Sequence, residues 1–445
     1  MMFDVTKYGA AADDSTDSTP GFQAAIDACA AAGGGVVDVP AGKYALDMLS
    51  LRSNVELHFE EGAEVRSLLK PVPQPGLKAK EPTANTRRWL IGGEKITNAA
   101  ITGKGRIDGR GFELFWPKND GLEHPLYGQR YWPQLHRPRG MICFRECRNI
   151  RVEGVCLLDP PCYTVWCLGC DDVRLENIIV RADLKGPNTD ALDIDCCSNV
   201  HITGCDIECG DDCIAVKSDI NDLGYDKPCE SVHAEHCRLR CTSCGIRLGY
   251  EGDGAIRNCH FNDIVMDEVM IGISMMVAIS PEDGRGTIIR HGPKITDCTF
   301  ERLDIHALQG FNFQFLKNPE NCPDPITGCM DDIVFRDLRI LSHRGSYLGG
   351  SPETKIGKLY FDNVTMTLSG NMGRDFAEHV PYPYPVWNDL KWSGLPWAYY
   401  ARHAERLTFR NCSVILDRAF GSWEREPIRT EDVAECIADI GTTRI

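Results

Sequence analysis

A repeat constrains this chain more than any other feature of its sequence. Short segments of one form recur, each carrying an apolar residue, two variable residues and a second apolar residue: RNIRVEGVCLL, DDVRLENIIV, SNVHITGCDI, ESVHAEHCRL, GAIRNCHF, PKITDCTF, DIVFRDLRI, GKLYFDNVTM and ERLTFRNCSVI. Aligned on that spacing, Val152, Leu175, Ile202, Ala234, Ile256, Ile295, Phe335, Phe361 and Phe409 fall in one column. Val155, Ile178, Cys205, Cys237, Cys259, Cys298, Leu338, Val364 and Cys412 fall in a second. The period is about 22–27 residues where it is tight, one supersecondary unit per repeat. The units alternate faces with period two, are rich in β-branched residues and lack helical spacing. They predict a parallel β-helix.

The second column also settles what most of the 22 cysteines do. Cysteine stands where other repeats carry Val, Ile or Leu, and a reduced thiol packs as a small hydrophobe. Cys147, Cys170 and Cys197 form a further column of the same kind. The pairs Cys167/Cys170 and Cys241/Cys244 have zinc-knuckle spacing but lie inside the strand ladder, so no metal and no cofactor are expected. A chain of 445 residues with 43% apolar content does not need a disulfide framework, and reduced cysteines predict a cytoplasmic protein. The first residues, MMFDVTKYGAAADDSTDSTP, lack the basic end and apolar run of a secretory signal, and no stretch reaches the roughly 18 apolar residues of a membrane span. A net charge of −16 disfavours nucleic acid and anionic membranes as partners.

A single domain is expected: a cap and first coil over about residues 1–45, coils with inserted loops over about 46–368, and an aromatic loop with the last coils over about 369–445. Ser18 or Thr19 as N-cap, Pro20 at the first helical position and Gly33–Gly35 at the end mark a helix that covers the open first coil. The repeats are interrupted near 111–139, 219–229, 280–292, 310–330 and 369–402. Loops of this kind on a rigid stack build a cleft.

Against this apolar regularity stands 188–218, NTDALDIDCCSNVHITGCDIECGDDCIAVKS, crowded with acids. Asp211 and Asp212 follow Asp190 by about one coil, and neighbouring parallel strands lie about 4.8 Å apart, so the three carboxylates are expected to converge. Like charges held together raise one another's proton affinity, so one can keep a proton while another is ionised, as glycosidic cleavage requires. Asn and Asp also cap turns between strands, which is the commoner role of a lone Asp in such a repeat.

GPNTDALDID with CGDDCIAVKS resembles the NTD and DD motifs of glycoside hydrolase family 28, the polygalacturonases and their relatives, which fold as right-handed parallel β-helices. The similarity extends over FDVTKYGAAADDSTDSTPGFQAAIDACAAAGGGVVDVPAGKY, HRPRGMICFRECRNIRVEGV and LPWAYYARHAERLTFRNCSV. The resemblance implies that Asp211 is the general acid, that Asp190 and Asp212 activate a water for inverting hydrolysis, that Lys217 lies beside them, and that Asn188 orients the first acid or a substrate hydroxyl. It implies an oligosaccharide partner; the long loops at several coils, closing the groove at one end, favour exo-action on short chains. Where the family carries a GHG segment the chain has Ser243-Cys244-Gly245, and where the family has RIK it has Gly272-Ile273-Ser274-Met275-Met276. The cationic pair associated with the sugar carboxylate is absent.

Arg247 either replaces that pair as a bidentate carboxylate holder or is a surface or salt-bridge residue of its turn. Cys244 takes the place of the GHG histidine, and Met275 and Met276 make the same wall apolar, which suits a neutral or deoxy sugar such as rhamnose. Trp387, Trp392, Trp397 and Tyr399 form either a sugar platform or a cover for the last coils, and the same pair of readings holds for Trp116 and Trp132. His260, His291 and His403 read as structural histidines. Two other functions share the scaffold: a carbohydrate-binding β-helix that has lost catalysis, and a lyase or transferase.

Overall fold

The computed structural model describes residues 1–69, 89–116, 132–133, 137–279, 289–317, 325–369, 397–417 and 426–445. Among these, all strands except one short pair belong to a single 29-stranded sheet in which every pairing is parallel. It winds as a right-handed parallel β-helix. Each coil stacks on the one before it, so the interior is a set of apolar columns and the outer faces carry the alternate residues. The exception is an antiparallel pair, Phe115–Trp116 with Trp132–Pro133. The side chains of Trp116, Trp132, Trp387 and Trp392 lie outside the described residues.

The first column runs through Val152, Leu175, Ile202 and Ala234 in register. It then continues through Phe261 and Phe300 to Phe335, Phe361 and Phe409, not through Ile256 and Ile295. Ile256 pairs with Cys229 instead, and Cys259 and Cys298 lead to Ile333. The repeat spacing occurs twice in these coils, and the second occurrence is the structural one. Stacked rings hold the corrected column: Phe261, Phe300, Phe335, Phe361 and Phe409 lie near-parallel at centroid distances of 4.9, 5.2, 4.8 and 4.5 Å in that order. Geometry of this kind adds to what burial alone contributes.

The thiols of Cys147, Cys170 and Cys197 stack as a buried column, where the Cys147 N–H donates to Cys170 Sγ at 3.4 Å and the Cys170 N–H to Cys197 Sγ at 3.3 Å. Just beyond each of them the chain turns through a left-handed residue, Asn149, Asp172 and Asn199, with φ of 52°, 56° and 56°. Asn and Asp tolerate this conformation, and their amides link coil to coil: Asn149 Nδ2 donates to Asn98 Oδ1 at 2.8 Å and Asn199 Nδ2 to Asp172 Oδ1 at 2.6 Å.

The helix Thr19–Ala31 covers the first coil with Phe22, Ala25, Ile26 and Cys29. Ser18 stands at its N-cap position, but the hydroxyl makes no capping bond. It donates to Ala11 O at 2.9 Å and accepts from the Ala11 N–H at 3.0 Å, tying the cap to the preceding turn. One of the expected interruptions is shorter than anticipated: the strand Lys294–Lys317 runs on through 310–317. The interruption expected at 219–229 lies between Ile214–Ser218 and Cys229–Glu235 and holds a single helical turn, Ile220–Leu223.

Candidate active site

One face of the solenoid is built from Tyr163–Leu168, Leu192–Asp195, Ile214–Ser218 and the later parts of Arg238–Gly252, Ala255–Ile279 and Lys294–Lys317. Its register sets Trp166, Asp193, Ala215, Arg247, Ser274, Asn312, Tyr347 and Tyr400 in one row. The intervening residues, Leu192, Ile214, Ile246, Ile273 and Phe311, belong to the interior. The row is therefore the outward one. The two acidic motifs occupy the turns that enter this face: Asp190 precedes Leu192–Asp195, and Asp211 and Asp212 precede Ile214–Ser218.

The turns are stitched together by their backbones. The Ala191 N–H donates to Asp212 O at 2.9 Å, and the Thr164 N–H to Asp190 O at 2.8 Å. Thr189 Oγ1 accepts from the Gly210 N–H and donates to Gly186 O, both at 3.0 Å, which fastens the first motif to the second. A Cβ on Gly210 would lie 2.4 Å from Gly186 O and 2.6 Å from Asp183 O, so only glycine fits ahead of the paired aspartates. Beneath them the Cys209 thiol reaches Asp211 O at 3.2 Å and Asp212 O at 3.5 Å.

This stitching brings one carboxylate oxygen each of Asp190, Asp211 and Asp212 within 4.8 Å of one another. All three side chains are buried. Their surroundings differ. Asp212 is held as an acceptor: Arg247 Nη2 pairs with Oδ2 at 2.5 Å, while Ser243 Oγ and the Cys244 N–H donate to Oδ1 at 2.7 and 3.1 Å. Among the described residues, Asp190 is paired with Lys217 Nζ alone, at 3.6 Å. Burial, then the charges of Asp193 and Asp211, push the Asp190 carboxyl well above the ordinary carboxylate range, and Lys217 offsets this only in part. The proton that such a cluster keeps is thus drawn to Asp190, within reach of Asp211.

Lys217 is the hub of a second set. Its ammonium lies 2.6 Å from Asp193 Oδ1 and 3.9 Å from Glu251 Oε1, and 4.4 Å from the centroid of the Tyr163 ring. Burial alone would lower its pKa, but Asp193 and Glu251 outweigh burial and raise it, so Lys217 stays charged. Asp193, pushed up to about 6 by burial against the pull of Lys217, was not among the sequence candidates. Its signal was the alternation Asp193-Ile194-Asp195 in a strand whose apolar residues face inward. Glu251 and Tyr163 carried no such signal, because the strand register shifts after Leu248 and Tyr163 acts only through its ring.

The remaining candidates divide. Asn188, in the left-handed conformation at φ 55°, accepts from Arg137 Nη2 at 2.6 Å; the same guanidinium donates to Pro161 O at 3.1 Å and to Pro187 O. Arg137, an unanticipated residue, fixes the Asn188 amide. Arg247 closes a buried salt bridge, the second of its two anticipated roles. Cys244 contributes its backbone N–H, while its thiol sits in a small apolar cluster with Met270, Ile271 and Leu308. Met276 follows the outward alternation, but Met275 packs in the interior, so the two cannot share a wall. Tyr399 is likewise interior and no sugar platform. Trp397 stacks on Tyr400 at 5.6 Å, four rungs along the row from Arg247.

Asp195, one step further along its strand, is pushed up to about 8 by burial and by Asp219, although the Asp219 N–H donates to its Oδ1 at 2.8 Å. A carboxyl whose folded value lies above its unfolded value of about 3.9 binds its proton more tightly in the native state, so stability falls as pH rises from about 4 to 8. Asp195→Asn keeps the acceptor oxygen without the buried charge. Its Tm is expected to decline less than that of the wild type between pH 5 and 8.5, as read by calorimetric scans; a parallel decline would refute the assignment.

The family model described as Glycosyl hydrolases family 28 matches residues 29–229, which hold Asn188, Asp190, Asp211, Asp212 and Lys217 and stop short of Cys244 and Ser274. A probable polygalacturonase of Vitis vinifera is 30% identical over 300 residues, 64% of this chain and 57% of that protein. An exopolygalacturonase of Zea mays is 25% identical, over 60% of this chain and 67% of its own length. The chain thus spans less than two thirds of the Vitis protein. Among solved structures, the Yersinia enterocolitica family 28 exopolygalacturonase superposes with a TM-score of 0.71 at 17% identity, covering 99% of this chain and 78% of that one. A Thermotoga maritima exopolygalacturonase superposes with a TM-score of 0.61 at 19% identity, covering 98% and 91%; both show the shared fold. Over residues 29–229 the chain is similar to glycosyl hydrolases family 28, and the relatives it resembles over about 60% of its length are polygalacturonases.

Proposed function

We propose that this protein is an inverting glycosidase that removes sugar units from the end of a pectin-related or other plant oligosaccharide, with a sugar other than bare galacturonate read beside the acids. The observation that carries the reading is the convergence of Asp190, Asp211 and Asp212 within 4.8 Å, one drawn toward its protonated form and another held as an acceptor by Arg247. The proton kept by the cluster passes from Asp190 to Asp211, which protonates the leaving oxygen; the Asp190 carboxylate so freed and Asp212 take the proton of the attacking water. Carboxyl groups in inverting enzymes are commonly about 6.5–9.5 Å apart. The shorter spacing here leaves the family similarity, not the separation, as the support for inversion.

Two observations favour a sugar without a carboxylate. Lys217 and Arg247, the cations beside the acids, are both engaged by carboxylates of the protein. The row beyond Arg247 continues as Ser274 and Asn312, with no cation. Exo-action draws on the long interruptions between tight rungs and on the name of the Zea mays relative.

The test follows product release over time from oligogalacturonides, their methyl esters and rhamnose-containing pectic oligosaccharides, with proton NMR of the first anomer formed. Terminal release with inverted configuration, fastest on the uncharged or rhamnose-containing chains, is expected. Early internal fragments would refute exo-action, retained configuration would refute inversion, and fastest release from bare oligogalacturonides would refute the sugar assignment.

A further inference from the structure

We infer that Ser274, Asn312 and Gln314 form a ledge that binds the hydroxyl groups of an uncharged sugar residue, one and two rungs beyond Arg247. The inference rests on the glycosidase reading above and names the groups that recognise the substrate. Ser274 pairs in register with Arg247 on one side and Asn312 on the other, and Gln314 pairs with Met276. Rungs are about 4.8 Å apart, so the ledge begins about 5 Å from the guanidinium that holds Asp212. A sugar joined to the one being cleaved would span that interval.

All three side chains are buried: Ser274 is 0% exposed, Asn312 1% and Gln314 3%. Buried hydroxyls and amides are almost always hydrogen-bonded. Ser274 Oγ and Asn312 Nδ2 have no such partner among the described residues. Gln314 Nε2 donates to Asn312 Oδ1 at 2.6 Å, which uses the Asn312 carbonyl and leaves its two N–H donors to be satisfied by something else. A structural role would pair these groups with the protein. A ligand carrying vicinal hydroxyls, each both donor and acceptor, satisfies a hydroxyl and an amide together. A carboxylate does not suit the ledge, because Ser274, Asn312 and Gln314 carry no charge to offset its desolvation and Met276 flanks it with an apolar surface. The acids are as deeply buried as the ledge.

The experiment compares two probes that differ only in charge, an oligogalacturonide and its carboxyl-reduced counterpart. Binding is measured by calorimetry on the Asp211→Asn protein, with and without Ser274→Ala or Asn312→Leu, and hydrolysis on the otherwise wild-type protein. The reduced probe is expected to bind tighter than the acidic one. Ser274→Ala is expected to weaken it about five- to tenfold, with little change for the acidic probe, and Asn312→Leu to act in the same direction. In hydrolysis the loss should appear in KM more than in kcat. If the reduced probe binds and Ser274→Ala weakens it while no hydrolysis occurs, the ledge stands and the glycosidase reading fails. If hydrolysis proceeds but Ser274→Ala and Asn312→Leu leave binding of the reduced probe unchanged, the ledge is overturned and the glycosidase reading stands. Absence of binding by the reduced probe, or tighter binding of the acidic one, also overturns the ledge.

Discussion

Asp211→Asn is expected to lower kcat by about 10²–10⁴ with KM changed little, because proton donation to a leaving oxygen operates only in the transition state. Asparagine has the same shape and keeps an acceptor oxygen, so the turn holding Gly210 and the Thr189 bridge should survive. Far-UV circular dichroism and Tm should match the wild type. The loss should be smaller on substrates with good leaving groups, such as nitrophenyl glycosides, which need little protonation. An equal loss on good and poor leaving groups would assign Asp211 a role other than the acid.

The second large effect is expected at Arg247. Its guanidinium pairs with Asp212 at 2.5 Å, and both side chains are buried. Removing one partner of such a pair leaves an uncompensated charge and costs about 3–5 kcal/mol, whereas removing both with apolar groups of similar volume is far cheaper. Arg247→Met should therefore lower Tm markedly and reduce activity to near that of an acid-site variant, since Asp212 then loses the partner that holds its Oδ2 in place. Arg247→Lys should recover part of the stability. If Arg247 served only to hold a substrate carboxylate, Arg247→Met would raise KM and leave Tm unchanged, and the pairing described here would be wrong.

Much of the fold was legible because strand periodicity and the parallel stack allow few alternatives. Cysteine could be read as a packing residue only because Cys205 and Cys237 stand in a column with Val155 and Ile178. The same logic slipped at Ile256 and Ile295, where the motif occurs twice and only the ring stack from Phe261 to Phe409 selects the register. At the site, Asp190, Asp211 and Asp212 were legible because their separation matches one coil. The pairing of Arg247 with Asp212, of Lys217 with Asp193 and Glu251, and of Arg137 with Asn188 was not. Those contacts depend on how far each long side chain reaches across a corner, and on a register shift after Leu248 that no residue pattern announces. The Met275–Met276 wall failed for a simpler reason: adjacent strand residues face opposite sides.

The claim beneath all of this is that the three clustered carboxylates act as one unit. Measuring kcat for Asp190→Asn, Asp211→Asn, Asp212→Asn and the triple variant, on whichever substrate the wild type turns over fastest, tests it most directly. Groups that share one reaction step lose their effect together, so the triple variant should be no slower than the slowest single variant, within a few-fold. Losses that multiply across the three positions, or a triple variant as fast as the wild type, would contradict it.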